Sequence, residues 1–334
     1  MKVYLDQNKP FFKANLHCHS TYSDGKLTVD ELKKAYMQQG YSIVAFTDHE
    51  HVIDNSRLTD ENFVAITGCE VAIKQFPTQS TLINHGMRVC HLNFYALDPH
   101  NNLTPCYSSL YDHYVSHEVK PLIKFEDEYE RVYSAEGINE IIRIAREKGF
   151  IVSYNHPSWS LENATHYLPY EGMFAVEIYN HGCAQAGIVT DEPVYDDLLR
   201  ADKKLFCTAC DDNHNSAPLD HARSDSFGGW VCINADKLDY ASVMNALQKG
   251  DFYASTGPQI FSLVREGMDV VIRTSAAKNI CMITRGRRTQ AMIANQNEQV
   301  YGARFSLKET DGYFRIRVTD ESGKCAYTQA YYLD

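Results

Sequence analysis

The sequence predicts an α/β chain: a seven-stranded β/α barrel of the TIM-like kind followed by a small C-terminal all-β domain. Three observations carry this. Short apolar or β-branched runs alternate with amphipathic stretches through residues 11–250, the pattern of parallel strands linked by helices. After Gly257-Pro258 the helices stop, and strand-like pieces follow one another with only Gly, Asp and Asn turns between them. Histidines and acids recur where the predicted strands end, the edge at which β/α barrels build their sites. A chain of 334 residues suits this division, since single cores seldom grow beyond ~250–300 residues. The domains are drawn at 1–257 and 258–334.

In order, the first strand spans 11–18 and the first helix 28–39, opened by a T-x-x-E capping box at Thr28 and Glu31 and stopped by Gly40. Further strands fall at 41–47, 63–71, 88–96, 150–155, 174–178 and 204–209. Helices fit 137–148, ended by Gly149, then 192–202, and 239–249, ended by Gly250. Between 98 and 134 the pattern lapses into a stretch rich in Tyr, His and acids, read as an insertion over the barrel mouth. The last domain reads as a small β-sandwich with strands at 269–273, 279–284, 303–307 and 313–318, and it contains no His.

Lys and Arg total 32 against 43 Asp and Glu, a formal charge of −11. That balance argues against general nucleic-acid or anionic-membrane binding through a basic surface, so an anionic substrate must be held locally. Lys2, Asp6, Lys9 and Lys13 interrupt the start in a way a signal peptide does not, and no apolar run of about 18 residues is present. The expectation is a cytoplasmic chain that does not enter membranes. The ten cysteines are scattered and read as reduced, buried thiols, the Cys207/Cys210 pair included.

The chemistry-bearing phrase is Asn15-Leu16-His17-Cys18-His19, followed by Ser23-Asp24-Gly25. Side chains alternate along a strand, so His17 and His19 share a face while Cys18 points away from it. Gly25 suits a turn that returns the Asp24 carboxylate towards them. Further candidates follow at His49, Glu70, His91, His156, Asp212 and His214, each at or near a predicted strand end. Cys69 and Cys90, one place from a candidate, face away like Cys18. Imidazoles mixed with carboxylates suit Zn, Mn or Fe, whereas calcium or magnesium would favour oxygen ligands throughout. Asp48 and Asp211 adjoin candidates and read as orienting groups. His51, His181, His221 and Arg223 are loop residues that could reach the mouth.

The order and spacing of these residues resemble the PHP (polymerase and histidinol phosphatase) superfamily over roughly three quarters of the chain, about 11–257. The resemblance implies a distorted seven-stranded barrel and two to three divalent metal ions. It implies that His17, His19, Glu70 and Asp212 hold one ion, that Glu70, His91 and His156 hold a second bridged to it, and that Asp24, His49 and His214 hold a third. Members commonly carry His where Asp24 stands, so this chain departs from the family's pattern at the third site. The stretch 250–258 and Val318-Thr319-Asp320 are similar to a two-domain branch that includes carbaryl-hydrolase-like proteins.

The chemistry this implies is hydrolysis of a small phosphorylated metabolite or nucleotide by a hydroxide bridging two metals through Glu70, with His221 and Arg223 as candidates to contact phosphate or protonate the leaving group. Three divalent ions bring about +6 against about −3 from Asp24, Glu70 and Asp212, so the site favours an anion. A carbamate, ester or amide hydrolase using the same metals is the alternative. A non-catalytic metal- or carbohydrate-binding protein is a third.

Overall fold

The computed structural model describes residues 1–76, 86–188 and 190–333. The first part of the chain runs β1 (Lys2–Leu5), β2 (Phe11–Asn15), α1 (Val29–Gln38), β3 (Ile43–Phe46), β4 (Val64–Lys74), β5 (Val89–Ala96), α2 (Ala135–Glu147) and β6 (Phe150–Tyr154). It continues through α3 (Ala164–Tyr167), β7 (Ala175–Asn180), α4 (His181–Gln185), α5 (Glu192–Arg200), β8 (Phe206–Cys210), β9 (Trp230–Asn234), α6 (Tyr240–Lys249) and β10 (Phe252–Ser255). An all-β part follows: β11 (Ile260–Glu266), β12 (Asp269–Ala277), β13 (Asn279–Thr284), β14 (Gln290–Ile293), β15 (Val300–Ser306), β16 (Tyr313–Thr319), β17 (Cys325–Thr328) and β18 (Tyr331–Tyr332).

Local chemistry sets the helices. The Thr28 hydroxyl accepts from the Glu31 backbone while Glu31 caps Thr28 in return, which satisfies amides that α1 leaves without partners. In α2, Ser134 caps the start and Ile138, Ile141, Ile142 and Ala145 form one buried stripe at helical spacing. Gly250 ends α6 at φ 76°, a left-handed conformation that costs glycine nothing.

One long sheet orders the strands β14-β13-β16-β17-β10-β9-β2-β3-β4-β5-β6-β7-β8. Strands β2 to β8 are the seven predicted ones, but they do not form an all-parallel, closed TIM-like barrel. Pairs β2/β3, β3/β4, β6/β7 and β7/β8 are parallel, whereas β5 is antiparallel to both β4 and β6. The reason is visible in the register: Lys74 pairs with Val89, so the chain leaves β4 and enters β5 at the same edge. Nor does the strand ladder close between β8 and β2 among the described residues. Those ends meet beyond the strands, through a Cys18/Asn213 bridge and an Asp212 N–H that donates to the His17 carbonyl at 2.9 Å.

The all-β part is two-layered. A four-stranded sheet, β1-β11-β12-β15, packs Leu5, Leu263, Val270, Ile272 and Phe305 against Ile280, Met282, Phe314, Ile316 and Val318 of the long sheet. The N-terminal strand β1 therefore completes a sheet of the C-terminal region, pairing with β11. A larger core lies between strands β2 to β10 and the helices. Among the described residues no helix is long and apolar enough to cross a membrane.

Candidate metal centre

Reversal of β5 decides how the site assembles. His91 is the third residue of that strand, yet the start of a reversed strand lies at the edge where its parallel neighbours end. There it meets Glu70 and His156, while His17 and His19 reach the same cluster on the extended stretch after β2. Leu16 and Cys18 alternate into the core, both fully buried. The Nε2 atoms of His17 and His19 stand 3.2 Å apart. Asp212 Oδ1 lies 3.1 Å from His17 and 3.0 Å from His19.

Glu70, on β4, is the hub and is 1% exposed. Its Oε1 lies 3.2 Å from His17 Nε2, 3.0 Å from His91 Nδ1 and 3.2 Å from His156 Nε2. Its Oε2 lies 3.2 Å from His49 Nδ1 and 3.5 Å from His19 Nε2. Asp24 faces His19, His49 and His214 at 3.9, 3.7 and 3.4 Å. All nine sequence candidates thus converge into three overlapping groups: His17, His19, Glu70 and Asp212; Glu70, His91 and His156; and His19, Asp24, His49 and His214.

This donor set fits divalent ions. Two ligands about 2.1 Å from a tetrahedral zinc stand roughly 3.4 Å apart, close to the separations seen here. His19 Nδ1 and Asp24 Oδ1 are buried without a hydrogen-bond partner among the described residues, which is costly unless a cation lies between them. His156 and Asp212 have φ of 27° and 53°, a conformation that non-glycine residues adopt at an energetic cost and that clusters at functional sites.

Without metal, protons hold the cluster together. Burial disfavours ionised Glu70 and Asp212, but the surrounding imidazoles outweigh it and hold both carboxyls well below their ordinary range. Burial likewise disfavours charged His17, yet Asp212, Glu70 and Glu177 push it well above its ordinary value, and His19 and His156 rise for the same kind of reason. His49 goes the other way, lowered by burial and by its histidine neighbours.

The surroundings position these groups. Asp48 accepts from the backbone and hydroxyls of Ser20 and Ser23, at 2.7 to 3.1 Å, and so fixes the loop that carries Asp24. Asp211 accepts from Tyr36 and from the amides of Phe227, Gly228 and Gly229, and burial still pushes it up to about 6. Glu177 was not anticipated. This buried carboxylate on β7 takes His17 Nδ1 at 3.1 Å, the His156 amide at 3.1 Å and Asn180 at 2.9 Å, so it orients two candidate ligands at once. The only local signal was an acid inside the apolar run Phe174 to Ile178. Asn155, which donates to Glu70 Oε1 at 2.9 Å, was also missed.

The cluster opens into a cavity of about 1000 Å³ whose wall includes Arg223 and Lys74. His221 is exposed and does not line it; its Nδ1 accepts the Arg223 amide at 3.1 Å. His51 is buried against the His49 carbonyl, and His181 packs on Gly228 beside Tyr179, so neither faces the cavity. The 98–134 stretch does reach the mouth, through Leu110, Tyr111, His113 and Tyr114. Cys18, Cys69, Cys90, Cys207 and Cys210 are all buried free thiols outside the candidate groups.

An α/β sheet edge that gathers buried imidazoles and carboxylates around one shared glutamate defines a metal-binding class of protein. The PHP domain family matches residues 15–177, a span that contains His17, His19, Asp24, His49, Glu70, His91 and His156. Asp212 and His214 lie outside it and join the cluster through the fold. A two-domain Bacteroides vulgatus protein containing a predicted PHP-like metal-dependent phosphoesterase is 14% identical, with 98% of this chain and 96% of that one covered and a TM-score of 0.45. A predicted metal-dependent phosphoesterase from Bifidobacterium adolescentis is 15% identical, with 63% and 91% covered and a TM-score of 0.37. No curated protein matches the chain.

Proposed function

We propose that this chain is a metal-dependent hydrolase, and specifically a phosphoesterase acting on a small phosphorylated metabolite or nucleotide. The observation that carries the reading is Glu70: one buried carboxylate shared by two donor groups, with a third group beside it, on a cavity open to solvent. Divalent ions held there would supply a water acidic enough to serve as hydroxide near neutral pH, and Lewis acidity towards the oxygen of the bond attacked.

The protein's own groups set up that chemistry. Glu70 gives both donor groups a common anion and keeps them adjacent. Glu177 holds His17 by its far nitrogen, leaving Nε2 aimed inward. Counting Glu177 with Asp24, Glu70 and Asp212, three divalent ions leave about +2 and two ions leave about zero. Preference for an anion therefore rests on the third group and on Arg223 and Lys74 in the cavity wall. Arg223 is better placed than His221 to meet a phosphate.

The carbamate, ester or amide hydrolase reading has one observation in its favour, the apolar part of that wall, where Met87, Val89, Leu110 and Trp159 stand. Both readings meet in one experiment on the metal-loaded protein: turnover of an aryl phosphate, a nucleoside phosphate and an aryl carbamate by wild type and His49→Ala, with and without inorganic phosphate. Phosphate-ester turnover that phosphate inhibits and His49→Ala loses is the expected result. Carbamate turnover indifferent to phosphate and to His49→Ala overturns the phosphoesterase reading in favour of its rival.

A further inference from the structure

We propose that Trp159 and Tyr114 form an aromatic jaw over the metal cluster that selects phosphate esters whose alcohol carries a planar ring. The inference rests on the phosphoesterase reading and adds a substrate class to it. Trp159, in the turn after β6, sets its ring 5.1 Å from that of His91 and 4.9 Å from that of His156. Tyr114, at the end of the 3-10 turn Ser109–Tyr114, sets its ring 5.2 Å from His49. The imidazoles they touch belong to different donor groups, and the His49 and His91 rings are 5.9 Å apart. The two aromatics therefore cover different donor groups of the cluster, both in the wall of one cavity.

Both residues are 44% exposed although they line a concave site. Here Leu110, Met87, Val89 and Tyr111 join the two rings in one apolar wall. Covering such a wall releases water, and aromatic faces and edges favour another ring over an alkyl chain. Size agrees: about 1000 Å³ is at the upper end of small-molecule pockets, far more than a phosphoryl group fills. Besides the cluster and the cations Arg223 and Lys74, the polar side chains of the lining are Glu50, His113, Gln185, Ser216 and Asp225, and the apolar wall stands beside them, so a substrate with an anionic head and a flat apolar body matches both surfaces. Both aromatics sit on connecting segments outside the sheet, where specificity can change without disturbing the metal donors.

The test separates this inference from the reading beneath it by using non-hydrolysable ligands. Binding of phenylphosphonate and methylphosphonate to the full-length, metal-loaded protein is measured by calorimetry for wild type, Trp159→Ala, Trp159→Phe and Tyr114→Ala. Wild type should bind phenylphosphonate roughly tenfold or more tightly. Each alanine variant should bring the ratio of the two affinities towards one, and Trp159→Phe, which keeps a ring against His91 and His156, should retain most of it. Equal affinities in wild type, absence of binding by either ligand, or a ratio untouched by both alanine substitutions overturns the jaw. Turnover of 2-phenylethyl phosphate and ethyl phosphate, whose leaving alcohols are similar, is followed in parallel. Selective phosphonate binding without turnover of either ester keeps the jaw and rejects the phosphoesterase reading.

Discussion

Replacing Glu70 by Gln removes one negative charge and almost no volume from the centre of the cluster. In wild type its two oxygens stand 3.0 to 3.5 Å from nitrogens of His17, His19, His49, His91 and His156. At an effective dielectric constant of about 20, one unit-charge pair at ~3.2 Å is worth ~5 kcal/mol, and a divalent ion doubles the charge on one side. The amide oxygen of Gln remains a weak ligand and the cavity admits water, so a net loss of about 4 kcal/mol is a conservative figure, or roughly 1,000-fold in metal affinity. The assay is metal content by mass spectrometry after dialysis against a graded series of chelators, alongside turnover. Glu70→Gln should lose ions from both groups that share it, with turnover gone, while circular dichroism shows the fold intact. A variant that keeps its metals at wild-type affinity and still turns over would refute the shared role of this carboxylate.

Three further outcomes are expected. Cys18→Ser places a hydroxyl in a fully buried position facing away from the cluster, so it should lower stability by ~1–3 kcal/mol in urea melts yet leave metal content unchanged. Asp48→Ala frees the loop that Ser20 and Ser23 anchor, and it should weaken the group containing Asp24 while Glu70, His91 and His156 keep theirs, read as loss of one class of ion in a metal titration. The chelated protein should lose stability as pH rises from about 6.5 to 8. His17, His19 and His156 have raised values when folded, so the stability they add is fully present below their unfolded value near 6.5 and is lost as pH climbs through the folded ones. His49 and His51 are lowered, so their unfolded forms, still partly protonated near 6.5, give a small opposing rise that fades as pH approaches 8. Thermal melts that are flat or rising over this range would contradict the protonated cluster; with metal present, the fall should disappear because the ions replace the protons.

Much of the site was legible because it is written in short-range patterns. A strand repeats every second residue, so the alternation His17-Cys18-His19 by itself places two imidazoles on one face and a thiol on the other. Thr28 with Glu31, and Gly250, announce helix ends through bonds that span three or four residues. The chemistry of the set, imidazoles mixed with a few acids, follows from residue type alone. Other features depended on which distant segments meet. Nothing in the residues of β5 states that it runs backwards, since an apolar strand reads alike in either direction; its pairing with β4 decides that, and with it the approach of His91 to Glu70. Glu177 looks like an isolated acid in an apolar run until β7 lies beside β6 and its carboxylate meets His17, 160 positions away. Lys2 to Leu5 give no hint that they pair with β11. The sequence by itself determined the local periodicities, the caps and the kinds of ligand on offer. Tertiary structure decided strand direction, an open ladder where a closed barrel was expected, and the partners of each buried charge, because those are set by contacts between segments far apart in the chain.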